Sequence, residues 1–219
     1  MTATAPLVAV DAEQRMILDS VSWGTYERLL ADYLGRRVPR FTYDRGRLEI
    51  ITTSREHEIR NQTLALVVEV VAEELGIDVW NLGQSTFKRE DIAQGFEPDT
   101  CFYFHSRPTI HSTIEFDPAT DAPPDLVIEV DVSNSSLNRF PIFAGFVVPE
   151  VWRDSGGRVA IWRLEFGKYV ESEVSEVLSP LTGDILTRFL VESVALGRIE
   201  WKRLVRAWVR EQLTTRHGR

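Results

Sequence analysis

The order of predicted elements in this chain is typical of an α/β or α+β fold with a mixed sheet. A helix, a hairpin, a long helix and several strands are followed by a short helix, a second hairpin and two closing helices. Apolar residues alternate in the predicted strands and recur near every 3.6 residues in the predicted helices. With 219 residues, 43% of them hydrophobic, the chain can bury one core. We therefore expect a flexible arm at residues 1–20 and a single domain over residues 21–219.

The first half of the chain contains clear start and stop signals. Ser22 fits the N-cap of a helix over residues 23–34. Residues 41–51 read as two strands joined by a glycine-containing turn, which predicts a hairpin. The strongest helix is predicted over residues 53–75, with Gly76 as its stop.

The start of that second helix carries candidate site residues. Thr53-Ser54-Arg55-Glu56 is a capping-box pattern. The apolar arc of the helix also places Glu56 on the core side and Glu58 on the solvent side. Glu56 is therefore a third candidate acid beside its capping role, and His57 at the edge of the arc is interpreted as structural.

The second half alternates short strands with helices. A strand interrupted at Gly83 is followed by a second strand that begins near Pro98, where a missing N–H does little harm. The remaining predicted elements are a buried strand near residues 125–131, a helix over 136–146, a hairpin over 147–164, and helices over 184–193 and 201–213.

Residues 123–131 form a β-branched run that nevertheless carries three carboxylates. Its composition predicts a buried strand. Because side chains alternate along a strand, Asp125, Glu129 and Asp131 share one face, opposite the aliphatic residues at 126, 128 and 130. A carboxylate on a core strand is costly unless it is paired, solvated or bound to a metal. This strand is therefore the first candidate for a functional site.

A second acid lies at the start of the preceding strand. Asp99 follows Pro98, and Glu129 lies inside the next strand of the chain. Two carboxylates on neighbouring strands can hold one Mg²⁺, with water in the remaining positions. Such an ion activates water and stabilises charge on a phosphate. The alternative is structural, with Asp99 capping a turn and Glu129 paired with an arginine; the residues alone leave both open.

Charge and cysteine content narrow the classes of function. Thirty-three acidic residues against twenty-five basic ones give a net charge of -8. This balance disfavours nucleic-acid binding through a broadly basic surface, although a local basic cleft is compatible with it. The single Cys101 excludes an internal disulfide framework and agrees with a cytoplasmic protein. No apolar run approaches the ~20 residues of a membrane span, so no membrane partner is expected.

Motifs in a fixed order along the chain resemble those of a known family. They are Glu97-Pro98-Asp99, Pro123-Pro124-Asp125-Leu126-Val127-Ile128-Glu129-Val130-Asp131, Ser135-Ser136-Leu137-Asn138 and Val148-Pro149-Glu150-Val151-Trp152-Arg153. Over nearly its whole length the chain resembles the bacterial Uma-type family of predicted restriction endonucleases. The resemblance implies a restriction-endonuclease-like fold of the PD-(D/E)XK type, with a mixed central sheet flanked by helices. It also implies DNA as substrate and a Mg²⁺-dependent phosphodiesterase site, with Mn²⁺ as the alternative ion.

The resemblance also implies roles for individual residues. Asp99 matches the metal-binding aspartate, and Glu129 matches the acid of the (D/E)XK element. Asp131 stands where the simple motif has lysine, and it becomes a further candidate metal ligand. In the family the lysine is placed on the following helix, where this chain has Arg139, which keeps the charge but cannot release a proton near neutral pH. Lys88 is the other candidate for this cationic role.

Two functions of other classes stay open. A nucleic-acid-binding or regulatory protein that keeps the fold without cleavage is favoured by Asp131, Arg139 and the net charge. A homodimeric interaction module is the second, with residues 148–164 as an exposed aromatic hairpin at the interface. Metal-dependent cleavage would identify the enzyme, and a concentration-dependent mass would identify the dimer.

Overall fold

The computed structural model describes residues 13–36, 38–104, 121–132 and 137–217. Within these ranges the helices are α1 (Trp23–Asp32), α2 (Arg55–Leu75), α3 (Phe140–Gly145), α4 (Gly183–Ala195) and α5 (Arg198–His217). The strands in the same ranges are β1 (Gln14–Leu18), β2 (Arg40–Asp44), β3 (Arg47–Thr52), β4 (Trp80–Gly83), β5 (Phe87–Arg89), β6 (Gln94–Phe96), β7 (Thr100–Tyr103), β8 (Leu126–Asp131), β9 (Glu150–Ser155), β10 (Arg158–Glu165) and β11 (Lys168–Ser172). None of these helices is long and apolar enough to cross a membrane.

The strands form two sheets, which confirms the predicted mixed architecture. The first sheet has the order β1-β3-β2-β6-β5 and is antiparallel. The second has the order β11-β10-β9-β8-β7-β4, and its β8–β9 pair is parallel. The acid-bearing strand β8 therefore lies in the interior of the larger sheet.

Strand β8 separates two apolar clusters. Leu126, Ile128 and Val130 pack in the cluster that includes α2, α4 and α5. Val127 packs in the other cluster, with side chains from α3 and from β5 and β6 of the first sheet. The predicted alternation is confirmed, because Glu129 follows Val127 by two residues and so faces the second cluster. The site lies on the face of the larger sheet that packs toward the first sheet and α3.

The start of α2 differs from the prediction by one residue. Ser54 is the N-cap and accepts a hydrogen bond from the His57 amide at 3.2 Å. His57 is buried and Glu56 is exposed, so the expectation that Glu56 faces the core is wrong. The rest of the predicted apolar arc is confirmed, because its members Leu64, Val67, Val68 and Val71 are buried, although Ile59, from which the arc was counted, is 54% exposed.

Two other expectations are corrected by neighbouring strands. Residues 14–18 lie in the predicted arm, yet they form β1 and pair with β3; residues 1–12 lie outside the described ranges. The hairpin proposed as an exposed aromatic interface is interior instead. Trp152 is fully buried, because its strand β9 lies between β8 and β10 and its side chain packs in the cluster that includes α2, α4 and α5.

Candidate active site

Asp99 lies just before β7 and is almost completely buried. The Arg40 guanidinium contacts its Oδ1. Its Oδ2 lies 3.0 Å from His57 Nε2 and accepts the Val130 backbone N–H at 2.6 Å. Three donors from β2, α2 and β8 therefore fix the orientation of this carboxylate.

Glu129 is the next acid at the same point of the sheet. β7 and β8 pair antiparallel, with Thr100 opposite Ile128. Asp99 and Glu129 are the next residues along the two strands, and the Val130 amide that bonds Asp99 directly follows Glu129. The structure therefore brings Asp99 and Glu129 to adjacent positions of neighbouring strands, as the sequence predicted.

Only one of the two oxygens of the Glu129 carboxylate accepts a hydrogen bond from a described residue. Its Oε2 accepts a hydrogen bond from Arg139 Nη1 at 2.5 Å. Its Oε1 is buried, and within the described part of the chain it has no hydrogen-bond partner. Burial raises the pKa of Glu129, and the Arg139 guanidinium opposes that rise. A buried carboxylate oxygen without a donor is open to a cation.

Arg139 also contacts a residue that sequence reasoning did not identify. Its Nη2 donates to Glu49 Oε2 at 3.1 Å, and Glu49 lies on β3, fully buried. A weaker contact of 3.6 Å joins Glu49 to Arg15 of β1. The cation beside Glu129 is thus held by a second carboxylate from the first sheet.

Asp131 is enclosed by arginines. Its Oδ1 lies 3.0 Å from Arg15 Nη2, and its Oδ2 accepts from Arg153 Nε at 2.6 Å. Each carboxylate oxygen therefore has a guanidinium partner in this structure. Any role of Asp131 as a metal ligand would require at least one of these ion pairs to open.

The α2 acid linked to the site is Glu58, which the sequence analysis placed toward solvent. Glu58 Oε1 accepts from Arg40 at 2.8 Å and from Thr53 Oγ1 at 3.0 Å. The nearby His57 imidazole, and then the Arg40 guanidinium, lower the pKa of Glu58 to about 2. Glu58 therefore holds Arg40, which in turn contacts Asp99, whereas the side chain of Glu56 is exposed.

The two candidates for the cationic role, Lys88 and Arg139, have different partners. Lys88 Nζ bonds Glu27 Oε1 of α1 at 2.9 Å. Arg139 contacts Glu129 directly. Of this pair, Arg139 is the one the structure joins to a candidate metal ligand.

Carboxylates outnumber arginines across the site. Six carboxylates contact four arginines, Arg15, Arg40, Arg139 and Arg153; the carboxylates are those of Glu13, Glu49, Glu58, Asp99, Glu129 and Asp131. Among the described residues, no three His, Cys, Asp or Glu side chains are arranged to hold a metal. A metal ion here would depend on the Asp99 and Glu129 pair, with water as the remaining ligands.

The two acids line different openings. Asp99 lies in a groove of about 790 Å³ between α1, α2 and the β4–β5 segment, which also exposes Tyr33 and Gln62. Glu129 lines a cavity of about 10 Å³ with Arg139 and Phe140. The opening next to Asp99 therefore lies on the α1–α2 side.

Residues 23–191 match the Uma2 family, which is described as "Putative restriction endonuclease". The chain belongs to this family. A crystal structure of a putative nuclease belonging to DUF820, from Anabaena variabilis ATCC 29413, is similar to this Uma2 chain with a TM-score of 0.55 and 16% sequence identity. The similarity covers 78% of this chain and 99% of the other. At this identity it shows the fold, which is restriction-endonuclease-like as predicted. No curated protein matches the chain.

The sequence analysis did not assign several residues of this Uma2 site, because the local sequence around them indicates their role only weakly or because their partners are distant in the chain. Glu49 stands between Leu48 and Ile50 in a strand, the same pattern that singled out Glu129, and could have been found by that argument. His57 was interpreted as structural, yet it contacts Asp99. For Arg40, nothing in the local sequence distinguishes it from an edge residue of a hairpin.

Proposed function

We propose that this Uma2 protein is a Mg²⁺-dependent endonuclease that hydrolyses phosphodiester bonds in DNA, with Mn²⁺ able to replace Mg²⁺. The family supports a nuclease. One observation supports the metal assignment most directly. Glu129 Oε1 is buried without a hydrogen-bond partner among the described residues, and Asp99 lies next to Glu129 on the neighbouring strand.

The type of oxygen donor on Asp99 and Glu129 supports the proposed ion. Mg²⁺ in proteins is commonly held by one or two carboxylates and several waters. Asp99 and Glu129 would supply those carboxylates. A bound Mg²⁺ would polarise the phosphate and lower the pKa of a coordinated water.

The chain's own residues would then position charge around the substrate. Arg139 places a permanent positive charge beside Glu129, where it can stabilise a phosphate, but it cannot accept a proton. Glu49 fixes the second nitrogen of that guanidinium. Arg40 and His57 hold Asp99 from two sides.

One observation favours a second candidate, a protein on the same fold that binds nucleic acid without cleaving it. Arg40 contacts Asp99 and Arg139 contacts Glu129, so a metal would compete with a guanidinium at each carboxylate. Asp131 in place of the motif lysine points the same way. Such a protein would bind nucleic acid equally well with and without metal.

A plasmid-nicking assay with Mg²⁺, Mn²⁺ or EDTA separates the two functions. The test variant is Glu129→Gln, which keeps the shape but removes the charge. The control is Glu171→Gln, since Glu171 is an exposed acid paired with Arg158 on the β10–β11 hairpin. Cleavage that needs the metal and Glu129, but not Glu171, supports the enzyme. Absence of cleavage together with absence of Mn²⁺ binding in calorimetry would overturn it, and DNA binding retained in EDTA would then favour the second candidate.

A further inference from the structure

The Arg40 guanidinium is buried among the carboxylates of the candidate site. Its side chain is 4% exposed. One terminal nitrogen contacts Asp99 Oδ1, and the other lies 2.8 Å from Glu58 Oε1. Burial lowers the pKa of Arg40, and the charges of Glu58 and Glu129 oppose that lowering. Arg40 therefore supplies positive charge to Asp99 by contact and to Glu129 through space.

The two oxygens of the Asp99 carboxylate have partners of different kinds. Oδ2 accepts the Val130 backbone N–H at 2.6 Å and lies 3.0 Å from His57 Nε2. The Val130 amide is part of β8, so it keeps its place as long as the sheet is intact. Among the described residues, the contact of Oδ1 is Arg40, whose side chain can move by a change of rotamer. Oδ1 is therefore the oxygen of Asp99 that can exchange one cation for another.

Glu129 presents a comparable oxygen beside little free space. Its Oε2 accepts from Arg139, whereas Oε1 has no partner in the described part of the chain. The cavity beside Glu129 measures about 10 Å³, which is roughly the room that one water needs. Mg²⁺ usually keeps several waters in a protein site, so the hydrated ion needs more space than this. Movement of the Arg40 guanidinium away from Asp99 Oδ1 would provide that space together with a second carboxylate oxygen.

Glu58 offers the guanidinium a partner outside the pair of acids. Its Oε1 contacts Arg40 and also accepts from Thr53 Oγ1 at 3.0 Å. The Glu58 side chain is 36% exposed and lines the groove of about 790 Å³ that contains Asp99. A buried charge that loses every partner is strongly destabilising. Because Glu58 already contacts it, Arg40 can release Asp99 and keep an ion pair.

We propose that Arg40 takes the place of the metal at Asp99 Oδ1, and that a divalent ion binds by displacing the guanidinium onto Glu58. The affinity for Mg²⁺ or Mn²⁺ is then set by competition between the ion and Arg40 for one oxygen. Arg40 and Glu58 act through Asp99 and are positioning residues. The inference rests on the metal site of the proposed function, but it concerns ion binding and not cleavage, so the two can fail separately.

Calorimetric titration of the full chain with Mn²⁺ alone measures this competition. Arg40→Gln removes the competing charge and should bind Mn²⁺ at least about tenfold more tightly than the unmodified protein. Arg40→Lys keeps a positive charge and should stay closer to the unmodified protein.

The matched control is Arg60→Gln. Arg60 forms a comparable ion pair, at 2.5 Å, with the buried Asp154. Asp154 lies opposite Val130 in the strand register, and Val130 packs on the face of the larger sheet away from Glu129. Arg60→Gln therefore removes a buried pair without touching the acids of the site, and Mn²⁺ affinity should not change.

Glu58→Gln tests the second half of the proposal. Without this carboxylate Arg40 has one partner fewer outside Asp99, so Mn²⁺ should displace it less readily and bind more weakly. In the double variant Arg40→Gln/Glu58→Gln the guanidinium is absent, and the Glu58 substitution should have no further effect. An equal loss of affinity in both backgrounds would show that Glu58 acts on the ion directly and would overturn the displacement of Arg40.

Equal Mn²⁺ affinity of Arg40→Gln and the unmodified protein would also overturn the proposal, as would absence of Mn²⁺ binding by both. If equal affinity is found in a protein that cuts DNA, the endonuclease stands without this competition. Tighter binding by an Arg40→Gln protein that cuts no DNA supports the competition and counts against the endonuclease alone. If Arg40→Gln does not fold, Glu58→Gln decides: weaker Mn²⁺ binding, with no change in the exposed neighbour variant Glu56→Gln, supports the proposal, and unchanged binding overturns it.

Discussion

The Arg139 guanidinium bridges two buried carboxylates from different sheets. Its Nη1 lies 2.5 Å from Glu129 Oε2 and its Nη2 lies 3.1 Å from Glu49 Oε2. Glu129 belongs to the larger sheet, and Glu49 belongs to the smaller one. Arg139 therefore contributes both to the contact between the two sheets and to the charge state of the candidate site.

Removing that side chain should be costly. Arg139→Ala leaves Glu129 and Glu49 buried without their shared cation, and loss of one member of a buried ion pair typically costs about 3–5 kcal/mol. Urea unfolding would measure the change. Burial raises the pKa of Glu129 above 4.5 and Arg139 lowers it, so removal of Arg139 raises that pKa further. A raised folded-state pKa means that stability is lost as pH rises above the unfolded value, so the loss in Arg139→Ala should be greater at pH 8 than at pH 5.

The matched control is Arg158→Ala. Arg158 pairs with Glu171, and both side chains are largely exposed, so its removal should cost no more than ~1 kcal/mol. Equal losses for the two variants would show that the Arg139 bridge is not a buried ion pair in solution.

Arg139→Lys tests whether cleavage requires a guanidinium or an ammonium beside Glu129. Lysine has a single terminal nitrogen, so it cannot span Glu129 and Glu49 as the guanidinium fork does. An ammonium can release a proton more readily than a guanidinium and can orient water beside a phosphate. We expect lower stability in urea together with a cleavage rate at least equal to that of the unmodified protein. A stable Arg139→Lys variant with lost cleavage would show that the bidentate guanidinium itself is required.

The free energy of unfolding at low pH should show the contribution of the ionised Glu58 to stability. The pKa of Glu58 is lowered from 4.5 to about 2 by His57 and then Arg40. A lowered folded-state pKa stabilises the protein fully above the unfolded value of 4.5, and this contribution is lost as pH falls toward 2. The difference in unfolding free energy between the unmodified protein and Glu58→Gln should therefore be present at pH 6 and shrink below pH 4.5.

The control for Glu58→Gln is Glu56→Gln, on the same turn of α2. Glu56 is exposed, so Glu56→Gln should follow the unmodified protein at each pH. A gap for Glu58→Gln that stays constant from pH 6 to pH 3 would contradict the ion pair with Arg40.

The parts of the fold that could be predicted are those with local signals. β8 was predicted from its β-branched run, and its alternation correctly placed Glu129 on the face away from Ile128. The glycine stop of α2 was also correct: Gly76 has φ 68° and lies in the left-handed region.

The remainder of the site depends on contacts between distant segments. Arg15 reaches Asp131 across 116 residues and Arg139 reaches Glu49 across 90. No periodicity within one element encodes such a pairing, because each partner satisfies only its own strand pattern. The placement of Glu56 was wrong for a related reason: whether the first turn of α2 is covered depends on the segments that pack around it, and the pattern of the helix does not encode them.

Val147, two residues after the end of α3, provides a last test of local strain. Val147 has φ 58°, in the left-handed region that a β-branched residue occupies at a cost of ~1–2 kcal/mol. It is 60% exposed, so its side chain contributes little burial. Val147→Gly should relieve the strain, and after the entropy cost of glycine, ~0.5–1 kcal/mol, a net gain of up to about 1.5 kcal/mol remains. For a chain of this size each kcal/mol corresponds to a rise in Tm of about 2–4 °C in calorimetry. Val170→Gly is the control: in the extended strand β11 the same change should lower Tm, and a fall of similar size for Val147→Gly would show that Val147 is not strained.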